Sequence, residues 1–68
     1  MKYLIREKRQ MLGLKQKELA ELLHVTAPTL ANWEAGVAEP RAKDLPGIAK
    51  ALNCRHIDEL YPEEVRPS

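Results

Sequence analysis

The chain has little aromatic surface, no long apolar run and a single cysteine, and each shortage removes a class of protein. Tyr3, Trp33 and Tyr61 are its only aromatic residues, and apolar and polar residues do not alternate as they do in half-buried strands, so a sheet protein is excluded. Apolar stretches last only a few residues, far short of the roughly 20 that span a bilayer. Met1–Gln10 is charged where a secretory leader would carry an apolar core. A soluble, unexported chain with no membrane partner is the expectation. With Cys54 alone, neither an intrachain disulfide nor a four-thiolate metal site can form, and a reducing cytoplasmic setting follows. His24 and His56 lie far apart without clustered ligands, so no metal is expected. The sequence also has no nucleophile–base pair at informative spacing and no phosphate-binding glycine loop, which argues against an enzyme and against a cofactor.

What is present is one domain's worth of helix. At 68 residues the chain is near the lower limit for a core that folds without metal or disulfide, so oligomerisation would help it. Apolar residues recur at helical spacing throughout, which predicts an all-α fold. Leu4, Ile5, Lys8, Met11 and Leu12 mark a first helix that Gly13 can end in left-handed geometry. A second spans Gln16–Leu23 with Leu19, Ala20, Leu22 and Leu23 inward. Its N-cap position holds Lys15, which cannot accept a backbone hydrogen bond, and that invites a functional reason for the cation. The third spans Ala27–Ala35, with Leu30 and Trp33 inward, Thr26 as N-cap and Gly36 as stop; Pro28 suits its first turn but disfavours helical geometry at Ala27. After a loop over Val37–Lys43, Asp44 caps a fourth helix carrying Pro46, Ile48, Ala49 and Leu52, which Asn53 can end. A short fifth, about His56–Leu60, stops at Pro62. The domain is expected over residues 1–61, with 62–68 a flexible tail.

Only His24, Val25 and Thr26 separate the second and third helices. A helix pair joined by so short a corner is the sequence form of the helix-turn-helix, which commonly pushes one helix into a DNA groove. The overall charge of +1 is poor for a nucleic-acid binder, but it is unevenly placed. Residues 1–17 hold six basic side chains against Glu7, whereas 18–68 hold five basic against nine acidic. A basic end facing phosphate fits this pattern, and so do ordinary solvated helix surfaces.

Several residues in order and spacing resemble the lambda repressor and Cro type of helix-turn-helix domain, also called the xenobiotic-response-element type. They are Arg9, Gly13-Leu14-Lys15-Gln16 leading into Glu18-Leu19-Ala20, Val25-Thr26, Leu30 with Trp33-Glu34, Gly36, Pro40, Ala49-Lys50-Ala51-Leu52 and Ile57-Asp58-Glu59-Leu60. The resemblance implies a compact five-helix bundle whose third helix enters the major groove of double-stranded DNA while the second crosses the backbone. Base edges then face Thr26, Ala27, Pro28 and Asn32. Asn32 is best equipped, since its amide can bond adenine bidentately; Thr26 can cap, touch phosphate or do both, and Ala27 and Pro28 either meet a thymine methyl or shape the helix start. Phosphate contacts are implied for Lys15, Gln16, Lys17, Thr29 and Arg41, the last near the minor groove, with plain solvation the alternative for the three cations. Arg9 and Glu34 match a structural salt bridge beside Trp33.

The chain departs from the family at His24, where glycine is usual and positive φ costs another residue roughly 1 kcal/mol. The loop Val37-Ala38-Glu39 also lacks the basic residues many relatives set against phosphate. Modest affinity per subunit is the consequence, best offset by a homodimer on two half-sites, with Ile57, Leu60 and Tyr61 as interface candidates or as monomer core. The implied function is a prokaryote- or phage-type transcriptional regulator, a repressor working in the cytoplasm at the nucleoid. An antitoxin-like or regulatory protein-interaction module is the alternative.

Overall fold

The computed structural model describes residues 1–66; Pro67 and Ser68, the end of the expected tail, lie outside the described residues. Among the described residues four α-helices follow one another, α1 (Ile5–Met11), α2 (Gln16–Leu23), α3 (Ala27–Ala35) and α4 (Leu45–Ala51), the first three joined by tight corners and α4 reached through a longer loop, with 3-10 turns at Ala42–Asp44, Ile57–Leu60 and Glu63–Val65. No strand forms among the described residues. The core is Ile5 from α1, Leu19 and Ala20 from α2, Leu30 and Trp33 from α3, Leu45, Ile48 and Ala49 from α4, and Leu52 and Leu60 beyond it. Ile5, Leu19, Leu30, Ile48 and Leu60 are fully buried, each contributing about 1.5–3 kcal/mol through removal of apolar surface from water.

All four helices end by one device. Gly13, His24, Gly36 and Asn53 each take positive φ, between 58 and 79°. The next residue then returns its N–H to a carbonyl five back: Leu14 to Arg9, Val25 to Ala20, Val37 to Asn32 and Cys54 to Ala49, at 2.8–3.1 Å. This closure satisfies carbonyls left open at a helix end and turns the chain sharply. Glycine adopts the required left-handed backbone without penalty, whereas any Cβ crowds the following carbonyl, a cost that the short polar side chain of asparagine can offset by local hydrogen bonding and that histidine bears more fully. His24→Gly is therefore expected to raise stability by about 1 kcal/mol, read as a rise of about 4–8 °C in thermal midpoint; an unchanged midpoint would show that the corner carries no strain.

Three sequence expectations need correction, and one open alternative is decided. The fifth α-helix does not form: Ile57–Leu60 is a 3-10 turn, closed by Glu59 N–H to His56 and Tyr61 N–H to Asp58. Pro62 forces Tyr61 into extended geometry (φ −78°, ψ 142°), so the run is too short for α-helical bonding. Leu22 is 57% exposed rather than inward. At about 100° per residue, Leu19, Ala20 and Leu23 share one face and Leu22 falls well off it. Asp44 does not cap α4, because its own backbone is already helical. Its carboxylate accepts instead from the Arg41 N–H at 3.1 Å, so winding starts at Ala42, inside the expected loop. Of the two alternatives for Leu60, monomer core is the one that forms, since its side chain is fully buried within the chain. Ile57 packs against the same core, and Tyr61 packs beside Tyr3, the rings tilted by 36° with centroids 5.7 Å apart.

The 3-10 turn at Ile57–Leu60 is held from its start by Glu59. The carboxylate accepts from the backbone N–H groups of His56 and Arg55 at 3.0 and 2.6 Å, which lowers its pKa below the ordinary carboxylate range. A carboxylate whose pKa falls on folding adds stability above its unfolded pKa of about 4.3 and loses it as pH falls through the folded value. The stability difference between wild type and Glu59→Gln should therefore be present at pH 7 and shrink below about pH 4. A difference constant from pH 7 to pH 2 would contradict this.

Candidate nucleic-acid interface

α3 begins at Ala27, with Pro28 in its first turn, where no intrahelical donor is required. The N-cap Thr26 accepts the Thr29 N–H on its Oγ1 at 3.3 Å and shares a 2.8 Å hydroxyl bond with Thr29. Both hydroxyls are thus engaged with each other, Thr26 exposed and Thr29 half-buried. Leu30, Trp33 and Glu34 form the inward face. Pro28, Asn32 and Ala35 are all exposed, and helical spacing puts them on the opposite stripe. Ala27 is half-buried, at the edge between the two. Asn32 is the polar side chain of that stripe, and no internal hydrogen bond engages its amide among the described residues.

α2 starts with exposed Lys15 at its N-cap and exposed Lys17 one turn-position in. The lysine ammonium cannot accept, so the N–H groups of the first turn lack a side-chain cap. Glu18 supplies the reciprocal half, its carboxylate accepting the Lys15 backbone N–H at 2.7 Å. The same arrangement recurs at Arg41, where the N-cap cation is exposed and Asp44 holds its backbone. In both cases an acidic residue three positions later fixes the backbone and leaves the cation free to extend. The i, i+3 spacing of Lys15 with Glu18 and of Arg41 with Asp44 is the signal that reading the N-cap residue alone misses. Glu39, in the loop after α3, meets the Met1 amino group.

Gln16 is not a free side chain. Its Nε2 donates to Glu34 Oε1 at 3.2 Å, while Arg9 donates from Nε to Glu34 Oε2 at 2.8 Å, from Nη2 to Oε1 at 3.1 Å and from Nη1 to the Leu14 carbonyl at 2.8 Å. Glu34 is 4% exposed and Arg9 12%. This cluster ties α1, the corner before α2, the α2 start and α3 together. The family resemblance implies Arg9–Glu34 as a pair; Gln16 joins it across 18 positions, a closeness only the folded chain supplies.

Other chemistry is thinly represented. Cys54 is half-buried and its thiol pKa is pushed up, first by burial and then by the nearby Glu59, which disfavours the thiolate a nucleophile needs. Among the described residues no group of His, Cys, Asp and Glu can hold a metal ion, and no helix is long and apolar enough to cross a membrane.

Residues 5–60 match a family model described as Helix-turn-helix. An uncharacterized HTH-type transcriptional regulator of Methanothermobacter thermautotrophicus is 43% identical over 61 residues, covering 90% of this chain and 88% of that protein. The HTH-type transcriptional regulator DicA of Escherichia coli is 33% identical over 60 residues, 88% of this chain and 44% of its own length. Repressor protein C2 of Salmonella phage P22 is 32% identical over 50 residues, 74% of this chain and 23% of its own. Among solved structures, a transcriptional regulator from Listeria innocua matches 100% of this chain and 68% of its own, with a TM-score of 0.71 and 30% identity.

Proposed function

The chain belongs to the lambda repressor/Cro-like helix-turn-helix family of DNA-binding transcription regulators, and on that premise we propose that it is a sequence-specific repressor that binds double-stranded DNA as a homodimer. The observation that carries this reading is the outward stripe of α3, where the unengaged Asn32 amide stands exposed. In the major groove that amide matches the N6 donor and N7 acceptor of adenine. Thr26, Ala27 and Pro28 lie at the same helix end, where Pro28 and the alanine methyl suit a thymine methyl. Lys15, Gln16 and Lys17 at the start of α2, Thr29 in α3 and Arg41 ahead of α4 are assigned to phosphate, which positions the protein without reading sequence. The DNA-binding unit is residues 1–61, and its place of work is the cytoplasm, where the DNA is.

One helix carrying a single hydrogen-bonding reader discriminates few base pairs. Two copies related by a two-fold axis double the site and set half-sites about one helical turn apart. The name of the P22 relative, a repressor, supports repression over activation.

The test is selection of bound duplexes from a random pool at two salt concentrations. A palindromic motif supports the dimeric repressor. Motif-free binding or none would overturn it and favour a protein-interaction module. Lys15→Ala should weaken all sequences alike and reduce the salt slope by about 1, because one cation fewer displaces counterions. A change in the preferred motif would contradict the phosphate assignment of Lys15.

A further inference from the structure

Glu34 is the one buried charged residue among those described. Its bidentate pairing with Arg9 already balances its charge, so the third bond, from Gln16 at 3.2 Å, is not needed for neutralisation. Its consequence is orientation. A carboxylate only accepts, so it selects the NH2 end of the Gln16 amide and turns the amide oxygen away. One Nε2–H is consumed; the other stays available. Gln16 is also only half-buried and lines a cleft with Arg6, Ala31 and Ala35, whose small alanine side chains leave the amide within reach of solvent.

Gln16 is the first residue of α2, so its remaining amide N–H lies at the same helix end as the uncapped backbone N–H groups. We propose that Glu34 is a positioning residue for DNA binding: its carboxylate holds the Gln16 amide so that the second N–H meets a backbone phosphate. This rests on the DNA-binding reading above. A glutamine left free would lose its rotamer freedom on meeting DNA, and one already ordered by Glu34 loses less. The same bond also links the phosphate anchor of α2 to α3, on which Asn32 stands two residues before Glu34.

The experiment is a double-mutant cycle in the full chain, with Gln16→Ala, Glu34→Gln and the double variant binding a mixed-sequence duplex at low salt. Gln16→Ala should lower affinity about two- to tenfold without changing the salt slope, since a neutral amide displaces no counterion. Glu34→Gln should lower affinity when position 16 is Gln and have no such effect when it is Ala. The altered net charge is common to both backgrounds and cancels in the cycle. Equal effects in both backgrounds would make Glu34 purely structural and overturn the proposal. Unchanged affinity in Gln16→Ala would overturn it while DNA binding stands, and no duplex binding by the wild type would remove the reading beneath it. If Glu34→Gln does not fold, the wild-type amide protons decide by NMR. One Gln16 Nε2 proton protected from exchange and the other shifted by added duplex supports the proposal; two freely exchanging protons overturn it.

Discussion

Glu34→Ala is expected to destabilise the fold by about 3–5 kcal/mol, a large share of the roughly 3–10 kcal/mol available to a chain of this length. The carboxylate is buried and accepts three hydrogen bonds. Removing it leaves the Arg9 guanidinium, only 12% exposed, with Nε and Nη2 unpaired and just the Leu14 carbonyl still bonded. Desolvating an uncompensated charge is what makes breaking such a pair costly, rather than any large net value of the pair itself. The reciprocal Arg9→Ala strands a buried carboxylate and should cost a comparable amount. Replacing both residues by methionine, which leaves no stranded charge, should lie much closer to wild type. Urea unfolding followed by helical circular dichroism checks all three. A loss below about 1 kcal/mol in Glu34→Ala would mean that water reaches Arg9 and that the cluster is effectively a surface pair.

Which parts of this structure could be read from the sequence follows from the range of the physics involved. Gly13, Gly36 and Asn53 announce helix ends because backbone chirality acts at a single residue, and all three take positive φ. His24 shows the limit of that logic, since a residue that disfavours the left-handed region is held there by the 6→1 bond from Val25 and by the packing of α2 against α3. The α2 face is ambiguous at Leu22 because four apolar residues in five positions suit several helix rotations, and only the partner helices choose between them. The 3-10 turn at Ile57–Leu60 has no sequence signature of its own, because its apolar spacing is compatible with α-helix, while the extended geometry at Tyr61 ahead of Pro62 limits its length. At the candidate interface, the exposure of Asn32 follows from its offset from Leu30 and Trp33. The Gln16 bond to Glu34 has no local signature, because it depends on how α2 and α3 dock.

Asn32→Ala should relax base preference at one position of each half-site by roughly 1–3 kcal/mol, about 5- to 150-fold in relative affinity. The magnitude follows from what else α3 offers. Thr26 and Thr29 hydroxyls bond each other, Glu34 is buried, and the remaining outward side chains are Pro28 and Ala35, which have nothing to donate or accept. Asn32 thus carries the hydrogen-bonded discrimination of the stripe, and the alanine variant keeps only apolar contact with thymine methyls. Stability should barely change, because the side chain is exposed and makes no internal hydrogen bond among the described residues, while its backbone carbonyl still receives the Val37 and Ala38 N–H groups. Selection with the variant should therefore return a motif degenerate at one symmetric pair of positions and unaltered elsewhere. Uniform loss across all sequences would reassign Asn32 to the phosphate backbone, and an unchanged motif would move the reading of bases to the Thr26–Pro28 end of α3.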